Sequence, residues 1–167
     1  MPTLEAGTKA PAVNLPTMTG ETFDLGEALK HGPVALAFFK ISCPICQMTF
    51  PYLERLHRAN AGGKVQMVGV SQDSKADTAG FLKEYGITFA VALDDTSRYP
   101  VSNAYGLTNV PTVFLISPDG GGAIELTSVG WYKKDIEELN AKMAALAGKA
   151  PQPVFKPGED VPDFKAG

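Results

Sequence analysis

Short apolar runs, separated by glycine, proline and polar residues, are the dominant pattern along the chain. The strongest run is Val34–Phe39, whose six residues are all apolar, as in a strand that is buried on both faces. Similar runs predict further strands at residues 64–70, 89–93, 110–116 and 123–129. A Ser-Pro-Asp-Gly turn joins the last two runs, which we therefore expect to form an antiparallel hairpin.

Helical spacing of apolar residues is found between these runs. It predicts helices at residues 44–59, 74–85, 97–104 and 132–147. Pro51 lies inside the first of them, so this helix should be kinked or divided into two shorter pieces. The strand–helix–strand order from residue 34 to residue 70 favours parallel pairing of the two strands through a right-handed crossover.

The two ends of the chain differ from this regular middle. In residues 1–32 short apolar pieces alternate with Gly and Pro, and the Thr19-Gly20 pair indicates a small hairpin ahead of the core. Residues 149–167 contain four prolines and should be extended, either packed on the surface or mobile. Since 167 residues suit one domain with a sizeable core, we expect a single domain over residues 1–148, followed by a Pro-rich C-terminal tail over residues 149–167.

Composition excludes several classes of protein. With 44% hydrophobic and 20% charged residues the chain is typical of globular proteins, and its net charge of −3 comes with no basic patch that would favour nucleic acid as a partner. The N-terminus lacks a basic segment followed by an apolar one, and no run reaches the roughly 18 apolar residues of a membrane span. We therefore expect a cytoplasmic protein without a transmembrane segment, although a trimmed signal or membrane anchor would leave the same sequence.

Candidate chemistry comes from the chain's two cysteines, Cys43 and Cys46, which follow the buried run in C-x-x-C spacing. Pro44 suits the first position of a helix, which places the Cys43 sulfur over the unpaired N–H groups of the helix N-terminus. The positive end of the helix stabilises a thiolate there. We expect Cys43 to be the accessible sulfur with the lower pKa and Cys46 to be the more buried one, in a dithiol able to exchange disulfides.

Metal binding is the competing interpretation of this cysteine pair. A structural zinc site needs four ligands, and beyond the two cysteines only His31 and His57 could add to the set. We therefore expect neither a structural metal nor a cofactor. A soft-metal module that binds Cu(I) through Cys43 and Cys46 stays open as a non-enzymatic alternative.

These motifs together resemble the thioredoxin superfamily: a buried strand, the C-x-x-C, a helix containing Pro51, and a Val110-Pro111-Thr112 sequence about 65 residues later. Within that superfamily, the N-terminal hairpin and the segment between Val70 and Val110 are similar to the redoxin branch. This branch holds TlpA/ResA-type thiol-disulfide oxidoreductases and AhpC/TSA peroxiredoxins. The resemblance covers about residues 5–147. It implies an α/β thioredoxin fold, with a central mixed β-sheet flanked by helices and an N-terminal β-hairpin extension.

The resemblance also implies roles for individual residues. Cys43 would be the nucleophile and Cys46 the resolving cysteine of a thiol-disulfide oxidoreductase with redox and antioxidant activity. Pro111 would be cis and close to the dithiol. The substrate-binding residues would be Pro44, Ile45, Val110, Pro111 and Thr112. The partners would be protein or small-molecule disulfides together with an upstream reductant that the sequence does not identify.

The chain departs from the family pattern in its proton chemistry. Ala37 and Thr49 stand where related proteins carry a buried acid, so the acceptor for the Cys46 proton is not evident. Lys40 could lower the pKa of Cys43 if it pointed inward, but we favour an exposed lysine at the end of a strand. For Trp131 we favour a core position over a wall of the substrate surface.

A peroxiredoxin-type thiol peroxidase is the enzymatic alternative. Its nucleophile requires a Pro-x-x-x-Thr-x-x-Cys pattern to hold the peroxide. At those two offsets Cys43 is preceded by Leu36 and Lys40, and Cys46 by Phe39 and Cys43. Since neither cysteine has the pattern, the sequence favours disulfide exchange over peroxide reduction.

Overall fold

The computed structural model describes residues 2–167 of the chain. Its strands are β1 (Asn14–Pro16), β2 (Thr22–Asp24), β3 (Val34–Phe39), β4 (Gln66–Ser71), β5 (Ala90–Leu93), β6 (Thr112–Ser117), β7 (Ala123–Val129), β8 (Trp131–Tyr132) and β9 (Phe164–Lys165). Its helices are α1 (Leu25–Leu29), α2 (Pro44–Ala59), α3 (Lys75–Tyr85), α4 (Pro100–Ala104) and α5 (Lys133–Leu146), with a short 3₁₀ turn at Asp119–Gly121.

A five-stranded mixed sheet in the order β5-β4-β3-β6-β7 forms the centre of the molecule. The strands β3, β4 and β5 pair in parallel, whereas β6 is antiparallel to both β3 and β7. Separately, β1 and β2 form the expected N-terminal hairpin. The predicted α/β architecture, a central mixed sheet with helices around it and a hairpin ahead of it, is therefore confirmed.

Strand β3 lies at the centre of two apolar layers, because all six of its residues are fully buried. Alternate side chains of a strand point to opposite faces, so Ala37 and Phe39 join the core around α2 and α5, while Leu36 and Phe38 join the core under the N-terminal segment. Phe38 packs on Tyr105 with the ring centroids 5.3 Å apart. Complete burial of a Leu or Phe side chain contributes about 1.5–3 kcal/mol of transfer free energy.

Element boundaries differ from the sequence prediction in understandable ways. Helix α2 is one element that continues through Pro51, so the alternative of two shorter pieces is wrong. Helix α4 begins at Pro100 rather than at residue 97, because the Asp95 carboxylate accepts hydrogen bonds from the N–H and hydroxyl of Ser97 and holds that stretch in a turn. In the described part of the chain no helix has the length and apolar character that crossing a bilayer demands.

Residues 149–167 consist of extended stretches broken by bends and by a turn at residues 156–159, so they are only partly extended, and they pack against the domain. Val154 is buried in the core beside α2 and α5. Arg55 of α2 forms two hydrogen bonds of 2.8 and 2.7 Å to the Glu159 carboxylate, and a third of 3.0 Å to the Val154 carbonyl. Further along, β9 pairs antiparallel with β8. The division of the chain at residue 148 stays a prediction, but the tail has its own fixed contacts with the domain.

The Arg55–Glu159 pair gives the attachment of the tail a pH dependence. The hydrogen bonds from Arg55, followed by that from the Lys156 N–H, lower the pKa of Glu159 from about 4.5 to about 2. Because the folded pKa is the lower one, the stabilisation is complete above about pH 4.5 and is lost as the pH falls towards about 2. We expect Glu159→Gln to lower the urea midpoint near pH 6, and the difference from wild type to shrink progressively below pH 4.5.

Glu138→Gln is the matched control, since Glu138 is exposed on α5. It should leave the urea midpoint at pH 6 nearly unchanged. A constant difference between wild type and Glu159→Gln from pH 6 to pH 3 would contradict the role given to the Arg55 contact.

Candidate functional site

The junction of β3 and α2 positions Cys43. It is the N-cap residue of α2, with extended backbone angles, and Pro44 takes the first helical position as predicted. The Cys43 sulfur accepts a hydrogen bond from the Cys46 N–H at 3.2 Å. The short loop before Cys43 is held in place by the segment after β4, because the Ile41 N–H donates to the Asp73 carboxylate at 2.8 Å. The sequence therefore folds so that one sulfur caps the helix that follows the buried strand.

The two sulfurs differ in environment, although both are free thiols. Cys43 is half-buried, whereas Cys46 is completely buried under it. Burial, above all, raises the pKa of the Cys46 thiol far beyond its ordinary range, and hydrogen bonding and charge from Cys43 together with the charge of Asp73 act in the same direction. A backbone hydrogen bond from Lys40 opposes this shift only in part. At neutral pH Cys46 therefore keeps its proton.

The loop before β6 lies beside the dithiol. The Val110–Pro111 peptide bond is cis, as the resemblance implied, and the Cys43 thiol donates to the Val110 carbonyl at 3.4 Å. Thr112 is completely buried, and its hydroxyl donates to the Asn109 carbonyl at 2.8 Å. Its side chain thus supports the loop from inside the protein.

The other residues that the sequence proposed for substrate binding lie around Cys43. Pro44 is exposed at the first turn of α2, and Ile45 is half-buried next to it. Pro111 is buried, and Val110 is half-buried with its carbonyl turned to the sulfur. The structure therefore brings the predicted residues together at one edge of the sheet, with Pro44, Ile45 and Val110 forming the accessible part.

A cleft of about 370 Å³ leads to Cys43. Its lining comes from four parts of the chain and consists of Lys40, Cys43, Gln72, Leu107, Thr108, Asn109, Val110 and Gly167. Lys40 is half-buried, with its ammonium group 5.7 Å from the centre of the Tyr99 ring, so the interpretation as a simply exposed lysine is wrong. The aromatic ring attracts the ammonium group and favours this position over free solvent.

Gln72 and Gly167 are members of this cleft that the sequence did not indicate. Gln72 follows β4, and its side-chain amide donates to the Ser102 hydroxyl at 2.9 Å. Ser102 in turn donates to the buried Asp94 carboxylate at 2.7 Å. A polar residue just after a predicted parallel strand was the available signal for Gln72, because such strand ends meet at one edge of the sheet. No motif marked Gly167.

The two positions at which the family resemblance implied a buried acid are both completely buried. Ala37 is completely buried in β3, and Thr49 lies in α2 three residues after Cys46. Within residues 2–167 the Thr49 hydroxyl oxygen has no hydrogen-bond partner. Trp131 is completely buried and packs on Tyr52 with ring centroids 5.1 Å apart, so its predicted core position is confirmed.

Possible metal ligands do not cluster in the part of the chain that spans residues 2–167. No group of three or more His, Cys, Asp or Glu side chains lies close enough to hold a metal ion there. Thiols are the type of ligand that a soft ion such as Cu(I) prefers, but Cys43 and Cys46 supply only two of them.

Sheet order, the dithiol at the start of the helix after the central strand, and the proline loop beside it define a protein of the thioredoxin fold. The family model named AhpC/TSA family matches residues 6–121. The chain therefore belongs to the AhpC/TSA family.

Similar proteins carry oxidoreductase names. Thiol-disulfide oxidoreductase ResA of Bacillus subtilis (strain 168) is 35% identical over 118 residues, which make up 70% of this chain and 64% of that protein. The ResA of Halalkalibacterium halodurans is 28% identical over 135 residues, or 80% of this chain and 74% of its own. The chain thus spans less than two thirds of the B. subtilis relative.

A solved structure gives a fuller match. It is a Chlorobium tepidum chain described as a DsbE-type thiol:disulfide interchange protein, 32% identical, with a TM-score of 0.74. The match covers 87% of this chain and 99% of the other. The fold extends over nearly the whole of that relative.

The unequal burial of the sulfurs predicts the order in which they react with an alkylating agent. We expect iodoacetamide at near-neutral pH to label Cys43 first, because Cys43 is half-buried and Cys46 is inaccessible and protonated. Peptide mapping by mass spectrometry at increasing times would measure this. Labelling of Cys46 in native protein ahead of Cys43 would reverse the roles given to the pair.

Proposed function

We propose that this protein is a thiol-disulfide oxidoreductase in which Cys43 is the nucleophile and Cys46 the resolving thiol. The observation that carries the proposal is the half-buried Cys43 sulfur, held at the N-cap of α2 directly above the buried Cys46. A helix N-terminus with a donated N–H stabilises negative charge on the capping sulfur. An accessible capping sulfur with a second thiol beneath it is the arrangement that disulfide exchange requires.

The reaction has two exchange steps. The Cys43 thiolate attacks one sulfur of a substrate disulfide, so a mixed disulfide forms and the second substrate sulfur leaves as a thiolate that takes up a proton. Cys46 then loses its proton and attacks the Cys43 sulfur, which releases the first substrate thiol. The substrate gains two electrons and becomes a dithiol, while Cys43 and Cys46 lose two and become a disulfide. A reductant outside the chain must return the pair to its dithiol form.

The relatives support this assignment by their names. ResA is called a thiol-disulfide oxidoreductase, and the C. tepidum structure is described as a thiol:disulfide interchange protein. Since the match leaves over a third of the B. subtilis ResA uncovered, the activity of this chain is our proposal. Disulfides, in proteins or small molecules, are the substrate class that the cleft and its nucleophile suit.

Peroxide reduction is the competing enzymatic activity. At the offsets where a peroxidatic cysteine needs Pro and Thr, Cys43 is preceded by Leu36 and Lys40. Leu36 is fully buried in the core beneath the sheet, so it offers nothing to a peroxide at the cleft. The site therefore favours a disulfide as the oxidant.

Single cysteine variants test this proposal. We expect wild type to catalyse reduction of insulin or glutathione disulfide by dithiothreitol, and Cys43→Ser to lose that catalysis. Cys46→Ser should accumulate a mixed disulfide at Cys43, because the resolving thiol is absent. Coupled rate assays and intact-protein mass spectrometry measure the two outcomes, with hydrogen peroxide consumption assayed in parallel. Peroxide consumption by wild type without disulfide reduction would refute the proposal in favour of the peroxidase.

Deprotonation of Cys46 is the step for which this chain has an unusual arrangement. The pKa of Cys46 is raised, chiefly by burial, so the thiol needs a base before it can resolve the mixed disulfide. The two positions that supply a buried acid in related proteins hold Ala37 and Thr49. Neither of these residues can take the proton, so we expect water or a weaker acceptor to take it and the resolving step to show no carboxylate ionisation of its own.

Replacement of Thr49 tests this statement. We expect the pH–rate profile of disulfide reduction in wild type to follow mainly one ionisation, that of the Cys43 thiolate. Thr49→Glu should add a second ionisation, because the substitution places a carboxyl group three residues from Cys46 on the same helix. Burial raises the pKa of such a group, so that it can act as a base for the Cys46 thiol. Thr49→Gln is the matched control, since glutamine has the shape of glutamate without its charge. This variant should keep the wild-type pH–rate profile.

A second ionisation already present in wild type would contradict this account. If it also survived in both Thr49 variants, a carboxylate elsewhere would be the acceptor. Asp73, whose charge acts on Cys46, would then be the residue to replace.

A further inference from the structure

The last described residues lie against the redox site. Residues 162–167, here named the strap, pass beside β8 and the first residue of α5 and end at the loop before β6. At their end, the Asn109 side-chain amide donates to the Gly167 carbonyl at 2.9 Å. The Gly167 backbone approaches the Val110 carbonyl so closely that a side chain at this position would collide with it. The strap therefore covers one side of Val110.

The covered group is the one that contacts the reactive sulfur. The Val110 carbonyl accepts the hydrogen bond from the Cys43 thiol at 3.4 Å, and Gly167 forms part of the wall of the cleft that leads to Cys43. With the strap in place the cleft has a volume of about 370 Å³. That volume lies at the lower end of the range for pockets that hold small molecules.

We propose that the strap selects the substrate class of this site. It admits small disulfides and obstructs polypeptide disulfides. This inference rests on the oxidoreductase function proposed above. A small disulfide reaches Cys43 through the cleft without moving the strap. A polypeptide continues as backbone for many residues on both sides of each cysteine, whereas glutathione disulfide has a single short residue on each side. One of the long segments must take the space beside Val110 that Gly167 now occupies.

The attachment of the strap is weak enough to open. Its backbone contacts are the short β8–β9 ladder and the 2.9 Å hydrogen bond from the Lys133 N–H to the Asp163 carbonyl. Outside this ladder, the Trp131 indole donates to the Pro162 carbonyl at 2.6 Å. Two-stranded ribbons are only marginally stable, and such edges open at a lower free energy than the core. Polypeptide disulfides should therefore react slowly rather than not at all.

One exposed aromatic pair offers a way to loosen the strap without touching the cleft. Tyr132 and Phe164 face each other across β8 and β9 with ring centroids 4.7 Å apart, and they are 42% and 50% exposed. Neither residue lines the cleft. Removing the Phe164 ring deletes this cross-strand contact, which is worth on the order of 1 kcal/mol in comparable pairs and corresponds to about a fivefold change in an equilibrium.

Two variants act on the strap by different routes. Phe164→Ala weakens its pairing with β8, and Gly167→Val forces its end away from the Val110 carbonyl. Leu146→Ala is the control, because Leu146 is also a large exposed apolar residue but lies at the end of α5. The chain's single tryptophan, Trp131, is bonded to the strap, so its fluorescence emission reports the state of the strap in each variant.

The test compares kcat/KM for insulin with kcat/KM for glutathione disulfide, with the full chain and the same reductant. We expect Phe164→Ala to raise kcat/KM for insulin about three- to tenfold and to leave the value for glutathione disulfide within about twofold. Gly167→Val should also raise the insulin value. Leu146→Ala should leave kcat/KM unchanged for both substrates.

Unchanged or lower insulin values in both strap variants would overturn the proposal, as would equal gains for both substrates. Failure of the oxidoreductase function looks different, because wild type would then reduce neither insulin nor glutathione disulfide. If wild type reduces glutathione disulfide but the strap variants gain nothing with insulin, the oxidoreductase function stands. Only the role of the strap in substrate selection is then refuted.

Discussion

The hydrogen bond from the Cys46 N–H to the Cys43 sulfur is the contact on which the site depends. It makes a sulfur the N-cap of α2, and it fixes the half-buried Cys43 sulfur above the buried Cys46 in a single helical turn. For this to happen, β3 must end just before Cys43 and the helix must begin at Pro44. The Asp73 carboxylate secures the loop between them by accepting the Ile41 N–H.

Sheet topology brings the second half of the site to the same place. Because β6 is antiparallel to β3, the beginning of β6 lies next to the end of β3, and Phe38 pairs with Thr112. The loop that precedes β6 must therefore meet the loop that follows β3. The Val110 carbonyl reaches the Cys43 sulfur as a result of this pairing. Completely buried side chains on both faces of β3 hold the register, since a slip by one residue would exchange the two faces.

Much of this arrangement could be predicted from the sequence. The uniformly apolar run of β3, the C-x-x-C spacing and Pro44 are local signals, and each one specifies a conformation or a chemistry by itself. The proximity of Pro111 to the dithiol came from a family resemblance, since no local pattern links residues so far apart in the chain. Thr112 was named with the substrate-binding residues, whereas its hydroxyl is turned inward to the Asn109 carbonyl.

The rest could not be predicted, for a physical reason. Gln72 and Gly167 reach the cleft through the packing of distant segments. The position of Gln72 after a predicted strand indicates only the end of the sheet at which it lies, and no sequence pattern predicts the contact made by a glycine such as Gly167. Lys40 was placed in solvent because strand-end lysines usually are, but it is half-buried in the lining of the cleft and its ammonium group lies over the Tyr99 ring. The strap is held mainly through backbone groups and one indole N–H, and backbone pairing of this kind leaves almost no trace in the side chains.

A redox titration tests the central claim, reversible disulfide formation between Cys43 and Cys46, most directly. The protein is equilibrated in glutathione buffers of increasing oxidised fraction, quenched with acid, alkylated under denaturing conditions and weighed by mass spectrometry. We expect one two-electron transition in which both cysteines lose their reactivity towards the alkylating agent together and regain it on reduction. A stable glutathione adduct on Cys43, with Cys46 still open to alkylation across the whole range, would contradict it.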